Sequence, residues 1–299
     1  MNILVFDIGG TNIKYGLCVN DVLGDVKEIP TEAKKGGRHI LNTVINVIKS
    51  ISEPFDAIGI STAGQVNCEK GYIIYANSNI PEYTGMKLRE ELEELFSVPV
   101  MVENDVNSAI MGEAVYGAGK GHGNFICLTY GTGIGGGIVI DGKIYRGTSF
   151  SAAEFGAIVT HSEEKLKGSD PFDGCYEKYA STTALVKKAM EYDPKLNNGR
   201  EIFKAVSDPN VYGIIDNWTD EITLGLSSLI HIFNPSCVVL GGGIISEKLI
   251  TDLINKKIGR MIMPSFKNVE IKTAELKNTA GLMGVNHLTK LYSENKNNL

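Results

Sequence analysis

No CxxC pair occurs among the five cysteines of this 299-residue chain. An odd number cannot close into a complete disulfide framework. Cys18, Cys127 and Cys237 lie in apolar runs, where buried free thiols are common, so a reducing, cytoplasmic setting is expected. No stretch approaches the roughly 18 apolar residues of a membrane-spanning helix. The opening MNILVFDIGG lacks the basic n-region of a secretory signal, and no membrane partner is expected. Positive charge is also short. Lys and Arg number 29 against 35 Asp and Glu, a net charge of −6, which argues against general nucleic-acid binding. Nor is there a Walker A loop. Gly119-Lys120 lacks both the glycine five positions before Gly119 and a following Ser or Thr.

Glycine, in contrast, is abundant and clustered. There are 34 glycines, with clusters at 9–10, 117–123, 131–137 and 241–243. Clusters at strand ends mark backbone that a ligand can approach closely. Apolar runs predict strands at 2–8, 12–20, 57–61, 98–102, 124–129, 138–140, 237–240 and 269–273. Helical spacing predicts helices at 39–52, 88–96, 107–115, 183–190, 216–231, 246–254 and 279–291. The polar tail ENKNNL is expected to fray. The pattern of strand, Gly-Thr turn, strand occurs twice, with Gly10-Thr11 and Gly131-Thr132 in matching places. Such a repeat implies two similar α/β domains with a cleft between them. The expected division is 1–116, completed by a C-terminal helix at 281–299, and 117–280.

Three glycine turns are candidate ligand cradles. In DIGGTNIK, the amides of Gly9, Gly10 and Thr11 can form an anion nest. Asp7 can hold Mg²⁺ beside phosphates, and Lys14 adds positive charge. A plain hairpin turn accounts for the same residues. YGTGIGGGIV contains a formal GxGxxG, but a strand rather than a helix follows, so a dinucleotide-binding fold is excluded by context. A phosphate cradle around Thr132 and Gly133 remains. LGGGI places Gly241 and Gly242 where a strand hands over to a helix, suited to a flat ring or a phosphate, or simply to tight packing.

Carboxylates accompany these turns. In VENDVN, Asp105 is read either as the N-cap of the following helix or as a base for hydroxyl activation. The neighbouring Asn104 can bond a sugar hydroxyl. Glu154 in AAEFG and Glu177 in GCYE can each accept from a polyol, or serve as surface charges.

Taken in order, DIGGTNIK, ENDVN, GTGIGGGI, AAEFG, GCYE and LGGGI resemble the ROK family of bacterial sugar kinases and repressors, within the hexokinase–actin superfamily. The resemblance spans nearly the whole chain. It implies two ribonuclease-H-like domains with ATP and sugar in a central cleft. It implies Asp7, Gly9, Gly10, Thr11, Asn12 and Lys14 as the first phosphate loop, with Mg²⁺ near Asp7. Thr132 and Gly133 form the second loop, and Gly241 and Gly242 the adenosine-side turn. Asp105 is the implied base. Asn104, Glu154 and Glu177 are implied sugar ligands, with Gly64 and Asn79 also on the sugar side. Family analogy adds a homodimer.

The chain departs from the family at its structural zinc, carried by many members on a His after ExG and on CxCGxxGCxE. Ala157 stands at the His position, Gly168 and Asp170 at two cysteine positions, and only Cys175 remains. No zinc is expected. Losing that His also opens the sugar choice toward a β-glucoside. The expected function is an ATP-dependent hexose or hexoside kinase acting at C6, with N-acetylmannosamine as an alternative substrate. The alternative of another class is a sugar-responsive regulator. That reading calls for a helix-turn-helix before the first phosphate strand, where only Met1 and Asn2 stand.

Overall fold

The computed structural model describes residues 1–297. The chain divides into two compact units. One comprises Met1–Lys120, Arg146–Ala152 and the stretch from Leu276 onward; the other comprises Gly121–Tyr145 and Ala153–Glu275.

In the first unit the sheet is built from β1 (Asn2–Ile8), β2 (Asn12–Val19), β3 (Val22–Leu23), β4 (Lys27–Pro30), β5 (Ala57–Thr62) and β8 (Val100–Asn104). Their order is β3-β2-β1-β5-β8, with β4 on β2. A small hairpin of β6 (Gln65–Asn67) and β7 (Tyr72–Tyr75) stands apart. The helices are α1 (Gly37–Ser50), α2 (Leu88–Phe96) and α3 (Asp105–Tyr116). Side chains alternate across a strand, and β1 shows the consequence. Leu4, Phe6 and Ile8 enter one core with Ile40 and Val44 of α1. Ile3 and Val5 enter another with Leu282 and Val285. Asp7 is next in the Ile3–Val5 series, so the alternation carries a carboxylate to the end of an apolar face.

The second unit repeats this topology. Its sheet has the order β11-β10-β9-β12-β13, from β9 (Phe125–Tyr130), β10 (Ile134–Ile140), β11 (Lys143–Tyr145), β12 (Cys237–Gly241) and β13 (Glu270–Thr273). Its helices are α4 (Ser162–Lys167), α5 (Glu177–Ala180), α6 (Thr182–Tyr192), α7 (Gly199–Lys204), α8 (Pro209–Phe233) and α9 (Lys248–Ile258). Leu128, Val238 and Leu240 of the sheet pack with Ile222, Leu226 and Ile230 of α8.

The last helix, α10 (Ala280–Asn297), belongs to the first unit and crosses α3 closely. A Cβ on Gly284 would stand 1.6 Å from Ser108 O, so only glycine permits the crossing. Glu294–Asn297 of the tail are helical rather than frayed; the rest of ENKNNL lies outside the described residues. Among the described residues, no helix is long and apolar enough to cross a membrane.

Two local expectations are corrected. The second glycine cluster is mostly strand: β10 starts at Ile134, and Gly136 pairs with Leu128. A Cβ at Gly136 would meet the Phe155 ring at 2.3 Å, so this glycine serves packing. The turn itself shrinks to Gly131–Gly133. At the third cluster, β12 ends at Gly241 but the helix begins only at Lys248, so the handover from strand to helix is not immediate.

Candidate active site

In the first unit, the turn between β1 and β2 is tied by Gly9 N donating to Asn12 O at 3.1 Å. Thr31, fully buried, braces it from behind. Its Oγ1 donates to Gly9 O at 2.7 Å and its N to Thr11 O at 2.8 Å. Among the described residues the amides of Gly10 and Thr11 carry no hydrogen bond, which leaves them available to an anion. Asn12 Nδ2 donates to Glu28 Oε1 at 2.6 Å, so its side chain is turned to the neighbouring strand. Asp7 Oδ1 accepts from Ser61 Oγ at 2.7 Å. Burial pushes its carboxyl above the ordinary aspartate range, while Ser61 and the Lys14 charge pull it back.

Asp105 enters through β8. Asn104, not Asp105, is the N-cap of α3: its Oδ1 accepts from Val106 N at 3.0 Å and Asn107 N at 3.1 Å. Asp105 is therefore the first helical residue, and only one of its oxygens is committed. Oδ1 accepts from Val106 N at 2.9 Å and from Asn104 Nδ2 at 2.8 Å. Among the described residues Oδ2 has no partner. Burial raises the Asp105 carboxyl, the Val106 amide lowers it, and the charge of Asp7 raises it again. The two carboxylates thus stand near enough to feel one another. Gly64 joins this group, because Asn104 Nδ2 also donates to Gly64 O at 3.0 Å. Asn79 lies in an exposed turn, where its N donates to Asn77 Oδ1 at 3.0 Å.

In the second unit, Thr132 and Gly133 form the tight turn between β9 and β10, closed by Gly131 N donating to Gly133 O at 3.0 Å. Glu177, first residue of α5, lies beneath it and accepts from Ile134 N at 3.3 Å. Glu154 is held above the ordinary glutamate range, first by burial and then by the charge of Glu177, so these two predicted residues also come together.

A cavity of about 880 Å³ adjoins the same turn. Gly131, Thr182, Asn198, Arg200, Gly243 and Ile244 line it. Gly241 and Gly242 are set just behind it. Gly242 adopts φ +124°, and a Cβ there would stand 2.3 Å from Tyr130 O. The wall from α7 was not anticipated in the sequence. Its signal is the Asn198-Gly199 start, where Asn198 Oδ1 caps the helix by accepting from Glu201 N at 3.1 Å.

A structural zinc of the kind the family resemblance raises does not fit the donors present. Cys175 Sγ donates to Ala157 O at 3.3 Å and has the Lys165 ammonium 3.7 Å away. His161 stacks on Tyr179 with ring centroids 3.6 Å apart and faces Glu221. Among the described residues, no three of His, Cys, Asp and Glu gather as a metal site, and one thiol cannot close a tetrahedron.

The sequence pattern of the ROK family matches residues 3–291. The glucokinase of Streptomyces coelicolor is 33% identical, covering 95% of this chain and 96% of that protein. The β-glucoside kinase of Listeria innocua is likewise 33% identical, covering 95% and 96%. The crystal structure of a ROK family glucokinase from Streptomyces griseus, in complex with glucose and AMPPNP, superposes with a TM-score of 0.78. It is 30% identical and covers 97% of this chain and all of that one. The fold is of the actin/hexokinase type, and the chain belongs to the ROK family.

Proposed function

We propose that the chain is an ATP-dependent sugar kinase that transfers the γ-phosphoryl group to a hydroxyl, at C6, of a hexose or hexoside such as glucose or a β-glucoside. The observation that carries this reading is the half-committed Asp105 carboxylate. One oxygen is fixed by Val106 N and Asn104 Nδ2; the other is free to accept a proton. Phosphoryl transfer needs little more from the protein than positioning, charge stabilisation and a base for the acceptor hydroxyl.

Asp105 takes the acceptor's proton, and Asn104, whose side chain is engaged by Gly64, Asp105, Val106 and Asn107 rather than by the sugar, holds that base in place. The free amides of Gly10 and Thr11 and the turn at Thr132–Gly133 receive phosphate oxygens. The cavity beside Gly131 and Gly243 receives the nucleoside. Asp7 has one oxygen on Ser61 and the other without a protein partner among the described residues, which fits a Mg²⁺ held directly or through water. When bound, that ion neutralises charge on the phosphates. Glu154 and Glu177 are proposed as further hydroxyl acceptors. The similarity to both a glucokinase and a β-glucoside kinase supports a hexose or β-glucoside, Ala157 in place of the family His favours the β-glucoside, and the similarity to a protein suggested to be an N-acetylmannosamine kinase keeps N-acetylmannosamine as the alternative. A cytoplasmic homodimer completes the proposal, with light scattering as the check on assembly.

A panel of hexoses, amino sugars and β-glucosides in a coupled ADP assay tests the reading. Asp105→Asn is expected to lower kcat by about 10²–10⁴-fold, the contribution of a positioned base, with nucleotide binding retained. Sugar-independent ADP release across the whole panel, or full turnover by the variant, overturns it.

A further inference from the structure

We propose that Arg146 is a positioning residue for the acceptor site, acting through Glu103 on Asn104 and Asp105. This rests on the kinase reading above and extends it to a residue outside the motifs that carry the family resemblance.

Glu103 is a carboxylate at 1% exposure, one residue before the end of β8. A buried carboxylate is costly unless it is paired and its remaining lone pairs are satisfied. Glu103 meets both conditions by dividing its oxygens. Oε2 accepts from Arg146 Nε at 2.8 Å and from Arg146 Nη2 at 2.6 Å. Oε1 accepts from Asn104 N at 3.0 Å and from Asn107 Nδ2 at 3.1 Å. Asn104 in turn holds Asp105 Oδ1 at 2.8 Å. A continuous series of contacts therefore runs from the guanidinium to the proposed base.

The segment that supplies Arg146 is itself fastened to this neighbourhood. Arg146–Ala152 belongs to the first unit although the residues on both sides of it belong to the second. Its loop closes on itself, with Ala152 N donating to Arg146 O at 3.1 Å. Gln65 Nε2 donates to Ser149 O at 2.5 Å. Gln65 adjoins Gly64, whose carbonyl accepts from Asn104 Nδ2. The loop is thus attached on two sides of one asparagine, through Glu103 and through Gln65. Phe150 within it holds φ +62°, a conformation a bulky residue keeps only when its surroundings enforce it. An ion pair that served stability alone would not require this loop to be joined to both supports of the same side chain.

The test compares Arg146→Met, Arg146→Lys and the double variant Glu103→Gln/Arg146→Met with wild type. A small misplacement of the acceptor site costs about 10²-fold, and Arg146→Met is expected to lower kcat by that order. KM for ATP should stay within about twofold, well under the 1.4 kcal/mol of a tenfold change. Lysine keeps the charge but cannot place two N–H groups on one oxygen, so Arg146→Lys should fall between. The double variant removes the buried charge together with its partner. It should regain much of the thermal stability lost in Arg146→Met while kcat stays low. An activity-free readout is the ¹⁵N–¹H signal of the Asn104 side-chain amide, which should move and exchange faster in both single variants. Wild-type kcat in Arg146→Met or recovery of kcat along with stability in the double variant overturns the positioning role, as does an unmoved Asn104 amide. A wild-type protein without sugar-dependent turnover overturns the kinase reading instead, and the Asn104 signal then still decides whether Arg146 orders that side chain.

Discussion

The two sheets place a glycine turn at the same point and treat the strand before it in opposite ways. In the first unit, Asp7 of β1 lies opposite Ser61 of β5 and Lys14 of β2. In the second, the matching strand position is Leu128 of β9, opposite Leu240 of β12 and Gly136 of β10. One arrangement is a partly buried carboxylate with a hydroxyl and an ammonium nearby; the other is two buried leucines. Among the described residues the amides of Gly10 and Thr11 in one turn, and of Thr132 and Gly133 in the other, carry no hydrogen bond, so the proposed phosphate binding does not require the acid. What the acid adds is a negative group that Asp105 senses and that the proposed mechanism uses beside a cation, and only one unit has it at this position. The repeat therefore supplies a shared scaffold, while single side chains under the turns divide the chemistry.

Moving the polar group across tests this most severely. Leu128→Asp would bury a carboxylate opposite Leu240 with neither serine nor lysine to receive it. Stability should fall by about 3–5 kcal/mol, the cost of an uncompensated buried charge, as read from urea unfolding. An unchanged midpoint would break the comparison.

Next come the glycines, which divide by cause. Gly242→Ala forces φ +124° on an L-residue and drives its Cβ to 2.3 Å from Tyr130 O. A loss of about 1–3 kcal/mol is expected from such backbone strain. At Gly10 no atom lies within 4 Å of a built Cβ. Gly10→Ala should leave stability within about 0.5 kcal/mol yet weaken nucleotide binding about tenfold, near 1.4 kcal/mol, by calorimetric titration. Unchanged nucleotide affinity would leave that glycine without a ligand to explain it.

The smallest effect concerns pH. Burial raises the Asp7 carboxyl above its ordinary value of 3.8. A group raised in the folded state favours folding when protonated. Its contribution is full below 3.8 and is lost as pH rises through the folded value. Asp7→Asn should therefore melt higher than wild type at neutral pH, with the advantage closing in acid. Scanning calorimetry across pH checks it; a constant difference at every pH would contradict the assigned cause.

The strands flanking both turns were legible from sequence because apolar runs and alternation are local signals. The closeness of Asp7 to Asp105, and of Glu154 to Glu177, follows from those strands and the helices after them. The β6–β7 hairpin, Thr31 and α7 escaped because each is defined by what it touches. Thr31 matters only as the brace behind Gly9, and α7 only as one wall of a cavity. The start of α8 was legible but passed over: Asp208 accepts from Asn210 N at 2.8 Å, and Pro209 occupies the first helical position. Of the two readings of Asp105, the cap is the one the structure sets aside: Asp and Asn are equally good caps, and only the geometry shows Asn104 in that place.

The close seating of α10 against α3, permitted by Gly284, has a consequence for biosynthesis. During translation, β1, β5 and α3 leave the ribosome long before α10, and all of the second unit is made in the interval. Until α10 arrives, the face bearing Ile3 and Val5 is left uncovered, a greasy surface that a chaperone would have reason to shield. The nascent first half must wait, unfinished, until the codons for α10 have been read.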